Sequence, residues 1–312
     1  MHEHFLQSNT WAKFQKALGN TVLKHTTETW SYLAIVEKDR FGTYVYAPYG
    51  PYAVDETALG KATKHLLAAS KRAGAYVVYI EPFLPVTREM AQTVLPPIGA
   101  KISTYRQPST TQIINLEQSL DDIISQMSAT QRNLHRNHEK KGLKIRQSTS
   151  ENDMSIFMTL LKQNASAKSF YIRKEKFFST MAHTLLKAGS AKLYIGWYEE
   201  TTPVIASLVY DSIDTRYYAF VGRDYSFDKL QANGPLVSRL IVDAKKAGMK
   251  SFDLYGIADS DDPKHPLYSF TAFKKTFGGE SVQLAGTWEI PLNNKKYYTK
   301  KTLHHLKKLA KR

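Results

Sequence analysis

The residues best placed to do chemistry lie at two strand ends. The run Asp253-Leu-Tyr-Gly-Ile257 reads as a strand closing in a glycine turn, and an acidic polar loop follows it. A helix then carries Phe273-Lys274 back toward the strand end. Open α/β sheets bind ligands outside the carboxyl ends of their strands, so polar residues gathered there mark a candidate site. Glu81 ends the apolar run Ala75-Tyr-Val-Val-Tyr-Ile80, just before Pro82, and packing rarely places an acid there. Tyr255, before Gly256, suits either a core or a site. Lys274 and Lys275 also fit an ordinary amphipathic helix with solvated lysines, since Phe270, Phe273 and Phe277 have core spacing.

Other chemistries find less support. The chain has no cysteine, which removes a thiol nucleophile, a disulfide and a thiolate metal site. His135 and His138 are three apart but surrounded by cations, so no metal site is expected. An acyl-CoA enzyme wants a glycine-rich loop at a helix N-terminus, whose backbone N–H groups cradle the pyrophosphate. Gln231-Ala-Asn-Gly234-Pro235-Leu236 is half a match: Pro235 lacks a donor and Leu236 blocks close approach.

The charge points to an anionic partner. Forty-three Lys and Arg against 28 Asp and Glu give a net +15, which attracts nucleic acid, anionic lipid or phosphorylated substrates. The excess is concentrated in Arg132–Arg146 and in Lys295–Arg312, the latter without an acid. Either cluster alone could be a solvated helix face. The charge does not separate a catalyst from a non-catalytic RNA-binding module.

At 312 residues, with 42% hydrophobic and 23% charged residues, the chain suits two globular domains. No run approaches membrane-helix length and the N-terminus lacks a basic head and apolar core, so a cytoplasmic protein is expected. The pattern predicts helices over 8–19, 55–73, 87–94, 117–141, 151–164, 173–188, 235–247 and 297–309. Strands are expected at 30–37, 43–47, 75–82, 102–106, 111–116, 143–147, 192–198, 204–211, 216–222, 251–254 and 286–290. From Thr111 onward, the order helices, antiparallel strands, helix, strand, helix is that of an N-acetyltransferase-like module. The first half repeats it more loosely. The expected fold class is therefore α/β (α+β), with two N-acetyltransferase-like (GNAT) modules, each a mixed sheet flanked by helices. The expected domains are 1–107 with 288–312, and 108–287. The C-terminal helix, apolar at Leu303, Leu306 and Ala310, is expected to pack on the first.

Several motifs resemble the Fem-type peptidoglycan-bridge aminoacyltransferases. They are Gln7-Ser-x-x-Trp11-Ala-Lys13, Tyr46-Ala-Pro-Tyr-Gly50-Pro51, Ile80-Glu81-Pro82, Phe220-Val-Gly222, Ala244-Lys245-x-x-Gly248, Asp253-Leu-Tyr255-Gly256-Ile257 and Phe273-Lys274-x-x-Phe277-Gly278. Each is weak alone, but their order spans nearly the whole chain. No long heptad run occurs, so the chain is similar to the compact members without a coiled-coil arm. The resemblance implies that Lys13 and Arg173 hold the diphosphate of a nucleotide-linked muropeptide, as paired cations would. It places Glu81 in the same cleft, although the compact relatives carry Asp. Tyr218 and Phe220 match an aromatic pair, the second of which is Tyr in those relatives. Lys274 would sit beside the ester carbonyl and the tRNA acceptor end, with Phe273 next to it.

The implied reaction is aminolysis of an aminoacyl-tRNA ester by an amine of the muropeptide stem, with no cofactor. Lys274 would stabilise the oxyanion or a phosphate, and Glu81 or Asp253 could take the amine's proton. The implied partners are aminoacyl-tRNA and a UDP-MurNAc-peptide or a lipid-linked muropeptide. The basic C-terminal helix suits either tRNA or a peripheral contact with an anionic membrane face. The amino acid transferred and the oligomeric state stay open.

Overall fold

The computed structural model describes residues 4–104, 106–148, 150–168 and 172–309. The chain divides into two units, Met1–Ser109 with Gln283–Arg312, and Thr110–Val282.

The first unit begins with α1 (Asn9–Ala17), where Ser8 Oγ accepts from the Trp11 N–H at 3.1 Å and caps the helix. There follow β1 (Thr21–Thr26), β2 (Trp30–Asp39), β3 (Gly42–Ala47), β4 (Tyr52–Ala53), α2 (Glu56–Arg72), β5 (Val77–Ile80), α3 (Arg88–Val94) and β6 (Lys101–Ile102). The second unit contains β7 (Thr110–Asn115), α4 (Leu120–Ser125), α5 (Ala129–Asn137), β8 (Leu143–Gln147), α6 (Met154–Lys168), α7 (Glu175–Met181), β9 (Ala191–Tyr198), β10 (Thr202–Asp211), β11 (Thr215–Arg223), α8 (Asn233–Lys246), β12 (Ser251–Gly256), α9 (Tyr268–Lys275) and β13 (Glu280–Gln283). The chain then returns to the first unit with β14 (Trp288–Pro291) and α10 (Asn294–Leu309).

The first sheet runs β1-β2-β3-β5-β14-β6, with β4 also on β2. The second runs β13-β7-β12-β11-β10-β9-β8. Both are mixed. Antiparallel strands lead to one parallel pair, β3 with β5 or β11 with β12, and a helix (α2 or α8) makes the crossover between the pair. An antiparallel strand, β14 or β7, then flanks the second member. Both units are thus N-acetyltransferase-like.

Strand alternation separates two faces in the first sheet. Val45, Ala47, Val78 and Ile80 join the main core with α2 residues such as Leu59 and Leu66. Tyr46, Val77 and Tyr79 turn the other way and pack with Tyr297 of α10. The second core lies between its sheet and α8, through Leu236, Val237, Leu240 and Ile241. Phe157 and Phe178, from α6 and α7, meet with tilted rings 5.6 Å apart elsewhere in the unit.

The structure departs from expectation in several places. The helix expected over 117–141 is two helices, because Ser128 caps α5 through the Gln131 N–H and donates its own N–H to Thr276 O at 2.8 Å. The strand expected over 102–106 is only Lys101–Ile102 among the described residues. Edge strands β1 and β13 were not foreseen, since neither alternates cleanly in hydrophobicity. On α10, Leu303 and Leu306 are exposed and Tyr297 makes the packing contact; Ala310 lies outside the described residues.

Candidate active site

The parallel pair of the second unit parts at its carboxyl end. The last rung joins Tyr217 to Asp253, after which β11 continues beside β10 and β12 beside β7. Each strand is irregular just past that rung. On β12 the register slips between Asp253 and Gly256, so Leu254 and Tyr255 oppose the single residue Gln112. This bulge turns Tyr255 into the left-handed region at φ +64°, uncommon for a residue with a side chain. Its N–H donates to Asp253 Oδ1 at 2.7 Å, and Thr111 Oγ1 donates to the same oxygen.

Past the bulge Gly256 pairs with Thr111, and Lys274 Nζ donates to the Gly256 carbonyl at 2.6 Å. The first turn of α9 is tied to the same exit, because Thr271 Oγ1 accepts from the Ala258 N–H at 2.7 Å. Burial pulls the Lys274 ammonium down to about 8, and the Asp253 charge resists the fall. Burial raises the Asp253 carboxyl to about 6, against its bonds from Thr111 and Tyr255 and the Lys274 charge. Between those values the pair is carboxylate and ammonium. One ammonium N–H is committed to Gly256, and the others can serve an oxyanion or a phosphate.

Phe273 is half-buried, packed against the second core and edge-on to Phe277 at 5.1 Å. Phe270, one turn before Lys274, is exposed instead of buried. On β11 the pairing passes from Leu208↔Phe220 to Val209↔Tyr218, leaving Ala219 as an extra residue. That bulge sends Tyr218 and Phe220 to opposite faces, although two-residue spacing suggests a shared one. Tyr218 packs with the α8-side core. Phe220 meets Phe178, Phe177 and Tyr210 with ring centres 5.4 to 6.2 Å away. Arg173 is exposed and lies over the Phe177 ring at 4.7 Å, which places it beside Phe220 rather than Tyr218.

In the first unit, Glu81 follows the last β5 rung. Its Oε1 accepts from Thr287 Oγ1 at 2.6 Å and from the N–H groups of Gln107 at 2.8 Å and Arg106 at 3.1 Å. Its Oε2 accepts from Tyr46 Oη. Burial raises the carboxyl's pKa, and these four donors oppose the rise. The turn after β3 is fixed from the N-terminus. Gln7 Nε2 donates to Pro48 O at 2.6 Å and Leu33 O at 2.9 Å, while its Oε1 accepts from the Leu33 N–H at 2.7 Å. A Cβ at Gly50 would stand 2.5 Å from the Gln7 carboxamide, so only glycine fits beneath it. Two motifs that look separate in the sequence are therefore one clasp. Lys13 is exposed on α1.

At the start of α8, a Cβ on Gly234 would lie 2.3 Å from Gln131 Oε1 and 3.0 Å from a Leu134 methyl. Side chains of α5 thus fill the space where a pyrophosphate would approach that helix end, and Leu236 is buried. No group of three or more metal-binding side chains occurs among the described residues.

Sequence reasoning did not find Thr111, which is 142 residues from the carboxylate it donates to. It also missed the fully buried Arg216, whose Nε and Nη2 donate to the two oxygens of Asp211 at 2.7 and 2.8 Å. The only signal for that ion pair was an acid and a base flanking a hairpin turn.

Each unit is an N-acetyltransferase-like mixed sheet with one central parallel pair, and in the second unit that pair parts beside an acid and a lysine. The sequence model of the FemAB family matches residues 97–195 and 185–305, and the chain belongs to that family, the Fem-type peptidoglycan-bridge transferases. Among solved structures, FemX is similar over 95% of this chain and 94% of its own, with a TM-score of 0.81 at 17% identity. The structure of L-PGS from Bacillus licheniformis is similar over 94% of both chains, with a TM-score of 0.62 at 13% identity. The C-terminal domain of a putative lysylphosphatidylglycerol synthetase from Agrobacterium fabrum is similar over 92% of this chain and 88% of its own, with a TM-score of 0.62 at 11% identity. These likenesses establish the shared fold. Among curated protein sequences nothing matches the chain.

Proposed function

We propose that the protein transfers an amino acid from aminoacyl-tRNA to an amine of a peptidoglycan stem peptide, acting in the cytoplasm. The observation that carries this reading is the half-buried Lys274, held at Gly256 O beside Asp253 at the parting strands. The amine nitrogen bonds to the ester carbonyl carbon, the carbon–oxygen bond to the ribose breaks, and the amine's proton ends on the ribose oxygen. An aminoacyl ester is already activated, so positioning and charge supply most of the acceleration, without a protein nucleophile. Lys274 stabilises the oxyanion or the acceptor-end phosphate, and Tyr255 and Phe273 shape its surroundings. Asp253 keeps Lys274 charged.

Lys13 and Arg173 are proposed to contact the diphosphate of a UDP-MurNAc-peptide or its lipid-linked form, and Tyr218 and Phe220 to order the elements around it. Glu81, with four donors on its carboxylate, is assigned to holding its strand end rather than to proton transfer. The filled approach to α8 argues against an acyl-CoA donor. The domains are proposed as 1–107 with 288–312, and 108–287.

The test is a transfer assay with a pool of radiolabelled aminoacyl-tRNAs and a nucleotide-linked muropeptide, with acetyl-CoA in parallel. Label on the muropeptide supports the reading and names the amino acid. Label retained on tRNA while acetyl-CoA is consumed would overturn it.

A further inference from the structure

The α10 helix is held on one side only. Tyr297 is buried in the tyrosine cluster of the first unit, and its hydroxyl donates to Glu289 at 2.8 Å. Lys300 Nζ reaches Asp39 and Tyr76 at 2.9 Å and Tyr79 at 3.2 Å, and Lys301 pairs with Glu289. Facing away from Tyr297, one turn apart, stand Leu303 and Leu306, which are 39% and 54% exposed, while Tyr298 lies edge-on to Tyr297 at 5.1 Å and its hydroxyl accepts from Lys101 Nζ at 2.9 Å. Lys295, Lys296 and Lys307 are exposed at their margins, and no acid occurs from Lys295 to Arg312.

The chain's other basic segment shows what this combination adds. Arg132–Arg146 is as rich in cations, yet it carries none of the large apolar side chains exposed among the described residues. A purely cationic ridge matches a polyphosphate surface. Apolar side chains rimmed by lysines match a surface that offers both negative charge and hydrocarbon. No helix among the described residues is long and apolar enough to cross a membrane, so the geometry is that of a helix lying in an interface.

We propose that α10 docks the protein on an anionic membrane surface, with Leu303 and Leu306 entering the headgroup region and Lys295, Lys296 and Lys307 facing lipid phosphates. The Tyr297, Lys300 and Lys301 contacts fasten the first unit to that surface. This assignment stands apart from the transfer reaction, and its test reads no catalysis.

The full chain is sedimented with vesicles of phosphatidylglycerol and phosphatidylcholine, and with phosphatidylcholine alone. Binding is expected only to the anionic vesicles. The double variant L303D/L306D should lower partitioning about tenfold or more, and K295E/K296E about fivefold per lysine, with the loss fading as salt rises. All four positions are exposed, so thermal unfolding of the free protein should not change. Equal binding to both vesicle types, or anionic binding untouched by both variants, would overturn the proposal. So would a shift of the free protein from dimer to monomer in L303D/L306D, which would make a second copy the occupant. Loss of RNA affinity without any vesicle binding would assign the helix to nucleic acid instead.

Discussion

The two units each place a carboxylate at the end of the second parallel strand, on the last rung in one and one residue past it in the other, and surround it differently. In the first, Glu81 receives four hydrogen bonds, from Thr287, Tyr46 and two backbone N–H groups. Its strand end is closed by its own chain. In the second, Asp253 receives two bonds on one oxygen, and a lysine rather than a set of neutral donors completes its surroundings. The register breaks on both β11 and β12 hold that strand end apart. The contrast teaches that a buried acid at a strand end is not by itself a catalyst: what decides is whether its partners leave capacity for a substrate. Four satisfied donors make a buttress, while a cation with uncommitted N–H groups makes a site.

The contrast yields four tests, the first of which carries the largest effect. Lys274→Ala should lower the transfer rate by about 10² to 10³, the scale of removing one donor to an oxyanion, while aminoacyl-tRNA still binds. Unchanged transfer would dissolve the distinction between the two strand ends. Glu81→Ala should act on stability instead: it strands buried donors and is expected to cost about 3 kcal/mol in denaturant unfolding. A stable but inactive Glu81→Ala protein would move chemistry back into the first unit.

The third test is one of pH. Transfer should fall above about pH 8, as Lys274 loses its proton, and below about pH 6, as Asp253 gains one. In Asp253→Asn the charge that supports the lysine's proton is gone, so the alkaline limb should move to lower pH and the acid limb should vanish. An unmoved alkaline limb would separate Asp253 from Lys274. The smallest effect belongs to Lys275→Ala. Its side chain is exposed beside Lys274, and rates within about twofold of the parent are expected for a surface change of this kind.

Much of this arrangement was legible in the sequence. Amphipathic α1 and α2 announce themselves by spacing, caps and closing glycines, α8 by spacing and a closing glycine, and the buried strands by apolar runs. Asp253, Tyr255 and Lys274 could be singled out because polar residues close to a strand exit are unusual. What the pattern could not carry is register. One extra residue, Ala219, puts Tyr218 and Phe220 on opposite faces, and no hydrophobic alternation reveals it. Partners distant in the chain were equally hidden: Thr111 reaches Asp253, and Gln7 explains Gly50, only once the strands are assembled. Glu81 was singled out as an acid that packing rarely places there, but its four donors come from segments the sequence does not join to it. Phe270 had core spacing and is exposed; α9 ends at Lys275, so the buried Phe277 lies past the helix and does not continue its face.

The position of β14 has a consequence for how the protein is made. This strand lies between β5 and β6, yet it is translated after the whole of the second unit. When β5 and β6 leave the ribosome, β5 already has β3 on one side, but the strand that lies between β5 and β6 is still unsynthesised. At about 5 to 20 residues per second, the intervening stretch takes on the order of ten to thirty seconds to appear. The second unit, contiguous in the chain, can complete itself in that interval. The module that starts first must finish last, and a chain cut short before Trp288 would lack the middle of its opening sheet rather than its tail.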